Sequence, residues 1–211
     1  QGYKDPTPVQ AAVLEARAID QDLLVSAQTG SGKTVAFGMA IAPDLLRGAD
    51  RLLFADVPMA LIIAPTRELA LQVARELEWL YAETGAQIAT CVGGMDYRTE
   101  KRALDRGAHI VVGTPGRIRD HLGRGTIDLS KVQTLVLDEA DRMTDMGFYD
   151  EIAGIVSACP KRRQTLLFSA TYPEGIEKLS KQFMREPQRI TVAAPKADNR
   201  IEQRFYQVER M

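Results

Sequence analysis

The stretch SAQTGSGKT, from Ser26 to Thr34, has the residue types and the spacing of a loop that binds phosphate. The usual pattern runs from one glycine across four variable residues to Gly-Lys-Ser/Thr, and here Ala27 stands where the first glycine is expected. The stretch follows an apolar run, DLLVSA, and leads into a helical apolar pattern, TVAFGMAIA. This context favours a working phosphate site over the alternative, a glycine-rich turn that matches by chance.

Each residue type in this stretch has a chemical reason to be there. Backbone N–H groups at a glycine-rich turn and a helix N-terminus point at phosphate oxygens, and the helix dipole adds to the attraction. We expect Lys33 to reach the β and γ phosphates and the Thr34 hydroxyl to bind Mg²⁺. Gly30 and Gly32 allow a tight turn close to the anion. Ala27 adds only a methyl group, which leaves the loop open if its φ is negative.

Two carboxylates follow another apolar run, in the stretch TLVLDEAD. We expect Asp138 to hold Mg²⁺, partly through water, and Glu139 to polarise or deprotonate the attacking water in a phosphoryl transfer. Asp141 lies too far along for the metal, and we expect it to accept hydrogen bonds from the hydroxyls of Ser169 and Thr171 in the stretch SAT. The alternative is a solvated acidic turn that caps the next helix.

The elements that position these residues are apolar runs that alternate with helical patterns. Their apolar positions are continuous rather than alternating, which is typical of parallel strands buried on both faces. We therefore predict one α/β domain, with a mostly parallel sheet of about seven strands and helices on both faces. The runs are DLLVSA, ALIIAP, IATCVGG, HIVVGTP, TLVLDEAD, TLLFSAT and RITVAAP. Ligands of such sheets bind beyond the carboxyl ends of the strands, where the polar motifs stand.

Composition excludes several classes of function. The 27 basic and 28 acidic side chains give a net charge of -1, so no global positive field attracts nucleic acid or a membrane. Cys91 and Cys159 stand in apolar runs far apart, which indicates two buried reduced thiols rather than a metal site. No apolar run approaches the ~18 residues of a membrane span, and no signal peptide is visible, so we expect a cytoplasmic protein. The chain does not begin with Met, and we expect it to be a piece of a longer protein.

The motifs together resemble the first, N-terminal RecA-like domain of DEAD-box ATP-dependent RNA helicases. GYKDPTPVQ resembles the Q motif of that family, AQTGSGKT motif I, PTRELA motif Ia, VGG the glycine doublet, TPGR motif Ib, DEAD motif II and SAT motif III. Seven motifs in this order are very specific, and motif I of the family ordinarily begins with Ala. The resemblance implies a RecA-like P-loop domain over residues 1–192, with the upstream part of the Q motif missing. It implies an interdomain linker and the start of an absent second RecA-like domain over residues 193–211.

The resemblance implies ATP and Mg²⁺ as ligands. Under this resemblance, Gln10 recognises adenine through its amide. The residues alone favour a different interpretation, in which Gln10 is a surface amide at the start of a helix. By the same resemblance, Lys33, Asp138 and Glu139 would carry the catalytic roles. The nucleotide-binding residues are Tyr3, Gln10, Ala27, Gln28, Thr29, Gly30, Ser31, Gly32, Lys33 and Thr34. The family also stacks adenine on an aromatic residue upstream of this chain, so we expect a weakened affinity for adenine.

The resemblance also assigns an RNA-facing set of residues. Its glycine N–H groups, hydroxyls and arginines suit a phosphate backbone, so we expect binding that is independent of sequence and sensitive to salt. For the two arginines the alternative is a surface salt bridge, with Glu68 or with Asp120. The set is Pro65, Thr66, Arg67, Gly93, Gly94, Thr114, Pro115, Gly116 and Arg117. We expect a solvated helix face from YRTEKRALDRG, and no catalytic or metal-binding role for His109 or His121.

The resemblance implies the ATP- and RNA-binding half of a DEAD-box RNA helicase. In the full protein, ATP hydrolysis would be coupled to local unwinding of RNA, with the second RecA-like domain as partner. The arginine fingers of the family lie in that second domain, so we expect this chain, as a monomer, to bind nucleotide and to hydrolyse it poorly. One alternative is a nucleotide-responsive RNA or protein clamp that does not unwind. Another is a DNA translocase on the same fold.

Overall fold

The part of the chain that the structure describes folds around seven strands with helices on both faces. The structure is a computed structural model that describes residues 5–17 and 21–192. The described strands are β1 (Leu23–Ser26), β2 (Ala60–Ile63), β3 (Ile88–Cys91), β4 (Ile110–Gly113), β5 (Thr134–Leu137), β6 (Gln164–Ser169) and β7 (Gln188–Thr191). The described helices are α1 (Pro8–Arg17), α2 (Lys33–Leu46), α3 (Arg67–Leu80), α4 (Tyr97–Asp105), α5 (Pro115–Gly123), α6 (Ala140–Asp145), α7 (Tyr149–Ala158) and α8 (Glu174–Phe183). Tyr3 and residues 193–211 lie outside the described residues.

All seven strands belong to one sheet, in the order β3-β4-β2-β5-β6-β1-β7, and every described pairing is parallel. Each strand coincides with one of the seven apolar runs, which confirms the predicted α/β architecture. The register aligns the strand ends, since Ser26 pairs with Ser169 and with Thr191, and Ile63 pairs with Gly113 and with Leu137. The residues that follow the strands therefore share one edge of the sheet.

Side chains alternate between two apolar cores, one on each face of the sheet. Leu23 and Val25 pack into the core that also contains α2 and α3, and Leu24 packs into the core that contains α6, α7 and α8. Because successive residues of a strand point to opposite faces, a strand buried on both faces needs apolar residues at every position. This requirement explains the continuous apolar runs in the sequence.

The strand order divides the polar edge into two parts. The ends of β1, β5 and β6, which carry the phosphate loop, DEAD and SAT, lie in one half of the sheet. The ends of β2, β3 and β4, which carry PTREL, VGG and TPGR, lie in the other half. None of the described helices is long and apolar enough to cross a lipid bilayer.

Candidate functional site

The phosphate loop joins β1 to α2 and has the backbone that its glycines predict. Gly30 and Gly32 have φ values of 81° and 83°, in the left-handed region that disfavours other residues. Ala27 is not among the described residues with positive φ, and its N–H donates to the carbonyl oxygen of Ser169 at 3.3 Å. Alanine at this position therefore leaves the loop undistorted.

Gln10 closes a capping box at the start of α1 and also touches the phosphate loop. Its Oε1 accepts a hydrogen bond from the N–H of Thr7 at 2.9 Å, and the Thr7 hydroxyl accepts one from the N–H of Gln10 at 3.4 Å. Its Nε2 donates to the carbonyl oxygen of Gly32 at 3.2 Å. The amide keeps one N–H and one lone pair for a ligand. Gln10, Gly30, Gly32 and Trp79 are among the residues that line a cavity of about 800 Å³.

Lys33 lies against both carboxylates of the DEAD motif. Its Nζ is 2.9 Å from Oδ1 of Asp138 and 3.5 Å from Oε1 of Glu139. The Thr29 hydroxyl also lies 3.5 Å from that Glu139 oxygen. The structure therefore brings together residues that are about a hundred positions apart in the sequence, because β1 and β5 flank β6 in the sheet.

Asp138 is the residue best suited to hold a cation. Its side chain is fully buried, and Oδ2 has no hydrogen-bond partner among the described residues. Burial raises the pKa of Asp138 above its usual range, while the charge of Lys33 acts in the opposite direction. A buried carboxylate oxygen without a donor is a ligand that fits Mg²⁺. The burial of Asp138 also contradicts the alternative of a solvated acidic turn.

Glu139 holds a backbone conformation that is rare for its residue type. It has a φ of 48° and precedes α6, and its side chain makes no capping hydrogen bond to that helix. A left-handed conformation costs a residue with a Cβ about 1–2 kcal/mol. The conformation is compatible with the ion pairs that Glu139 makes with Lys33 and, at 3.4 Å, with Arg142.

Asp141 links the DEAD motif to the SAT motif. Its Oδ2 accepts hydrogen bonds from the N–H of Thr171 at 3.1 Å and from the Thr171 hydroxyl at 2.9 Å. The expected bond from Ser169 to Asp141 is absent, and that part of the prediction is wrong. The Ser169 hydroxyl donates instead to the carbonyl oxygen of Thr171 at 2.6 Å, because the chain turns back directly after β6.

The residues assigned to RNA converge in the other half of the edge. A cavity of about 420 Å³ is lined by Pro65, Arg67, Gly93, Thr114, Gly116, Arg117, Asp120 and Phe148. Thr66 is the N-cap of α3, where its hydroxyl accepts a hydrogen bond from the N–H of Leu69 at 3.3 Å. Thr114 is the N-cap of α5, with Pro115 in its first turn. The cavity thus lies beside the starts of two helices, which favour anions.

The two arginines of this cavity do not form the salt bridges considered from the sequence. Asp120 pairs with Arg124 at 2.8 Å, and Arg117 pairs instead with Glu100 at 3.1 Å. Nη2 of Arg67 lies 3.2 Å from the sulfur of Met95, and Nη1 lies against Gly94. Arg67 therefore stays exposed beside the glycine doublet.

The sequence analysis missed a buried polar cluster behind the cavity. Glu100 is 5% exposed although it belongs to the segment expected as a solvated face, and His121 is fully buried. His121 Nε2 lies 2.9 Å from Oε1 of Glu100. Cys91, also buried, lies close to both side chains. Both cysteines are buried and unpaired, as expected, and burial raises the pKa of the Cys91 thiol to about 12.

Comparison with known proteins identifies the family of this chain. The model of the DEAD/DEAH box helicase family matches residues 7–179, which is more than half of the 211 residues. The chain belongs to this family. This match confirms the resemblance that the seven motifs indicate.

Helicase relatives cover nearly all of this chain, but the chain covers less than half of them. It is 47% identical to the ATP-dependent RNA helicase DbpA of Escherichia coli over 98% of its own length and 44% of that protein. It is 44% identical to the DEAD-box ATP-dependent RNA helicase CshA of Geobacillus kaustophilus, over 92% of its own length and 40% of that protein. The chain thus corresponds to less than half of the length of each of these two helicases.

Solved structures of the family share the fold. A crystal structure of a DEAD box protein from the hyperthermophile Methanococcus jannaschii matches with a TM-score of 0.79 at 39% identity, over 88% of this chain and 49% of that chain. A crystal structure of a hypothetical ATP-dependent RNA helicase from Sulfolobus tokodaii matches with a TM-score of 0.81 at 36% identity, over 90% of this chain and 54% of that chain. The RecA-like fold of this DEAD-box domain is thereby confirmed.

Proposed function

We propose that this chain is the ATP- and RNA-binding half of a DEAD-box RNA helicase that couples ATP hydrolysis to local unwinding of RNA. The observation that carries the proposal is the arrangement of one sheet edge. Its β1–β5–β6 half holds Lys33, Asp138 and Glu139 together, and its β2–β3–β4 half holds a second cavity with Arg67 and Arg117. The family membership supports the same function.

The nucleotide half has residues for each requirement of phosphoryl transfer. The backbone N–H groups of residues 28–34 would cradle the phosphates, and Gln10 would present its free N–H and lone pair to adenine. Asp138 and Thr34 would hold Mg²⁺, which neutralises phosphate charge when bound. Lys33 would turn from Asp138 towards the β and γ phosphates, and Glu139 would accept a proton from the attacking water. Tyr3, outside the described residues, stays a predicted nucleotide contact.

The RNA half offers N–H donors that suit phosphate oxygens. Arg67 and Arg117 supply guanidinium N–H groups, Gly93 and Gly94 allow close approach of the backbone, and Thr114 lies at the start of α5. Such contacts to phosphate oxygens position a strand but carry no base information. We therefore propose binding to RNA that is independent of sequence and weakens with salt.

The remaining parts of the proposal concern the full protein. Asp141 and Thr171 would transmit the state of the nucleotide towards the second RecA-like domain, and residues 193–211 would contain the linker and the start of that domain. Because arginine fingers are worth about 10³–10⁵ in rate, residues 1–211 assayed by themselves would hydrolyse ATP poorly. We also propose a monomeric chain and a cytoplasmic location. Robust RNA-stimulated hydrolysis by the 211-residue chain would contradict the proposed weak activity.

A Glu139→Gln variant of the full-length protein tests the function. Removing the proton acceptor should lower ATP turnover by about 10²–10⁴-fold, and the variant should stay on RNA when ATP is present. The matched control is Asp145→Asn, which changes an exposed acidic side chain at the far end of α6, the helix that Glu139 precedes, and should leave turnover unchanged. A wild-type protein without turnover, or a variant that releases RNA like the wild type, would favour the clamp. Competition between RNA and DNA oligonucleotides, with a nonhydrolysable ATP analogue, tests the translocase alternative.

A further inference from the structure

Helix α4 carries a buried carboxylate on a basic segment whose other residues are exposed or half-buried. Its sequence is YRTEKRALD, and Glu100, 5% exposed, is its one buried residue. A charged side chain is rarely this buried unless it is paired, because desolvation disfavours the charged form. The partners of Glu100 therefore indicate why it lies there.

The carboxylate of Glu100 joins two segments that carry the proposed RNA contacts. Its Oε2 accepts a hydrogen bond from the N–H of Val92 at 2.7 Å, directly before the glycine doublet. Its Oε1 accepts one from Nη1 of Arg117 at 3.1 Å, in the TPGR motif. Nη2 of Arg117 donates to the carbonyl oxygen of Met95 at 3.1 Å. The contacts thus form a closed ring around the turn of residues 92–95.

His121 holds the carboxylate of Glu100 in this ring of hydrogen bonds. Its Nε2 lies 2.9 Å from Oε1 of Glu100, its Nδ1 lies 2.7 Å from the hydroxyl of Thr126, and its ring stacks on Tyr97 at 4.5 Å. Polar contacts on both ring nitrogens and a stacked face leave the imidazole one orientation. The carboxylate therefore cannot swing away from Arg117 without breaking several contacts.

The same cluster has the residue types of a metal site, but its contacts are those of a closed network. The ligand atoms of Cys91, Glu100 and His121 lie within 4.8 Å of one another. Both oxygens of Glu100 already accept hydrogen bonds, and one donor is a cationic guanidinium that a metal ion would have to displace. A buried ion pair is weak evidence for added stability, and in some proteins such pairs fix geometry instead.

We propose that Glu100 is a positioning residue for RNA binding, which holds Arg117 and the turn of residues 92–95 in the arrangement that contacts phosphate. This inference rests on the proposed function of the cavity at this edge. Arg117 uses two of its five N–H donors in the ring, which leaves three that are not engaged in it. A preformed donor set binds more tightly because less ordering is needed on binding.

Glu100→Gln separates positioning from charge. The loss of positioning should weaken RNA binding, whereas the removal of a negative charge should strengthen it. The amide has one oxygen and one NH₂ group, so either Val92 or Arg117 faces a donor instead of an acceptor. The variant also gains one positive charge, which by itself favours RNA. Asp105→Asn is the matched control, since it makes the same charge change on the exposed face of α4.

Binding of a fluorescently labelled oligouridylate, with a nonhydrolysable ATP analogue present, is the assay. We expect Glu100→Gln to bind about tenfold more weakly than the wild type, and Asp105→Asn to bind as tightly as the wild type or slightly more tightly. Affinity for ADP should be unchanged in both variants, which shows that they are folded. Equal RNA affinities of the two variants would overturn the proposal.

A double-mutant cycle shows whether Glu100 acts through Arg117. In an Arg117→Ala background, Glu100→Gln should weaken RNA binding less than about threefold, because the contact that it positions is already missing. Fully additive losses would overturn positioning through Arg117. RNA affinity falls with salt concentration, with a slope that counts the ions released on binding. Arg117→Ala and Glu100→Gln should each lower this slope by about one ion.

Hydrogen exchange without RNA separates this proposal from the proposed function. The amides of residues 92–95 should exchange faster in Glu100→Gln than in Asp105→Asn, and equal rates would overturn the hold of Glu100 on the turn. A wild-type chain that has no affinity for RNA would overturn the proposed function itself. Faster exchange together with RNA binding at wild-type strength would overturn only the role of Glu100 in binding.

Discussion

Two glycines of the phosphate loop offer a matched pair of substitutions. Gly30 and Gly32 have nearly equal φ values, 81° and 83°, so alanine suffers the same backbone strain at either position. A Cβ on Gly30 meets nothing within 4 Å, whereas a Cβ on Gly32 would lie 2.8 Å from Nε2 of Gln10 and 3.2 Å from the side chain of Thr7. We predict that only Gly32→Ala disturbs the recognition of adenine.

The magnitudes follow from these contacts. The left-handed strain of about 1–2 kcal/mol applies to both variants and lowers nucleotide affinity about 5–30-fold if the bound loop must keep this conformation. Gly32→Ala also pushes the Gln10 amide from its 3.2 Å hydrogen bond to the Gly32 carbonyl. Losing that bond costs about 0.5–1.5 kcal/mol, so the total loss of affinity for ADP is about 10–400-fold.

Titration with ADP and with GDP, followed by calorimetry, measures both effects. Gly30→Ala should weaken both nucleotides equally and leave their affinity ratio unchanged. Gly32→Ala should lower the preference for ADP over GDP by about fivefold, because the displaced amide is the group assigned to adenine. Equal ratios in the two variants, or a larger loss in Gly30→Ala, would refute the reasoning from the Gln10 contact.

Four further predictions concern individual side chains. Asp22→Ala should lower the free energy of unfolding in urea by about 2–5 kcal/mol, because the buried carboxylate accepts the N–H groups of Thr165 and Arg185 at 2.8 and 2.6 Å. Thr171→Val should lower it by about 1 kcal/mol, since it removes the hydroxyl bond to Asp141 but keeps the N–H bond. Burial raises the pKa of Cys91 to about 12 and that of Cys159 to about 11, so neither thiol should react with a thiol reagent at pH 8 until the chain is unfolded. Because these pKa values are raised on folding, the melting temperature should fall as pH rises above about 9.

The sequence predicts the strands and the motifs at their ends well, for a physical reason. Strands such as β2 and β4 are buried at every position, so each leaves a continuous apolar run in the chain. A parallel sheet then places the residues that follow these runs at one edge. The convergence of Lys33 with Asp138 and Glu139 follows from this geometry together with the family resemblance.

The contacts that the sequence does not predict depend on long-range neighbours. Arg117 has Asp120 three residues away, yet it pairs with Glu100, because the ends of β3 and β4 bring α4 against α5. Glu100 stands in a polar, basic segment whose pattern gives no sign of burial. The sequence also does not predict the left-handed φ of Glu139, since glutamate rarely adopts this conformation.

The order of the strands also bears on how this domain can change over evolutionary time. The strands β2, β3 and β4, together with helix α5 that follows them, lie in one continuous stretch of the chain, residues 60–123, and the three strands lie side by side at one end of the sheet. Only β2 borders the nucleotide half, through its pairing with β5. A recombination event that exchanges this stretch as a block replaces the surface assigned to RNA and leaves β1, β5 and β6 as neighbours. The surface assigned to RNA can thus diverge while the nucleotide site in the β1–β5–β6 half is inherited unchanged.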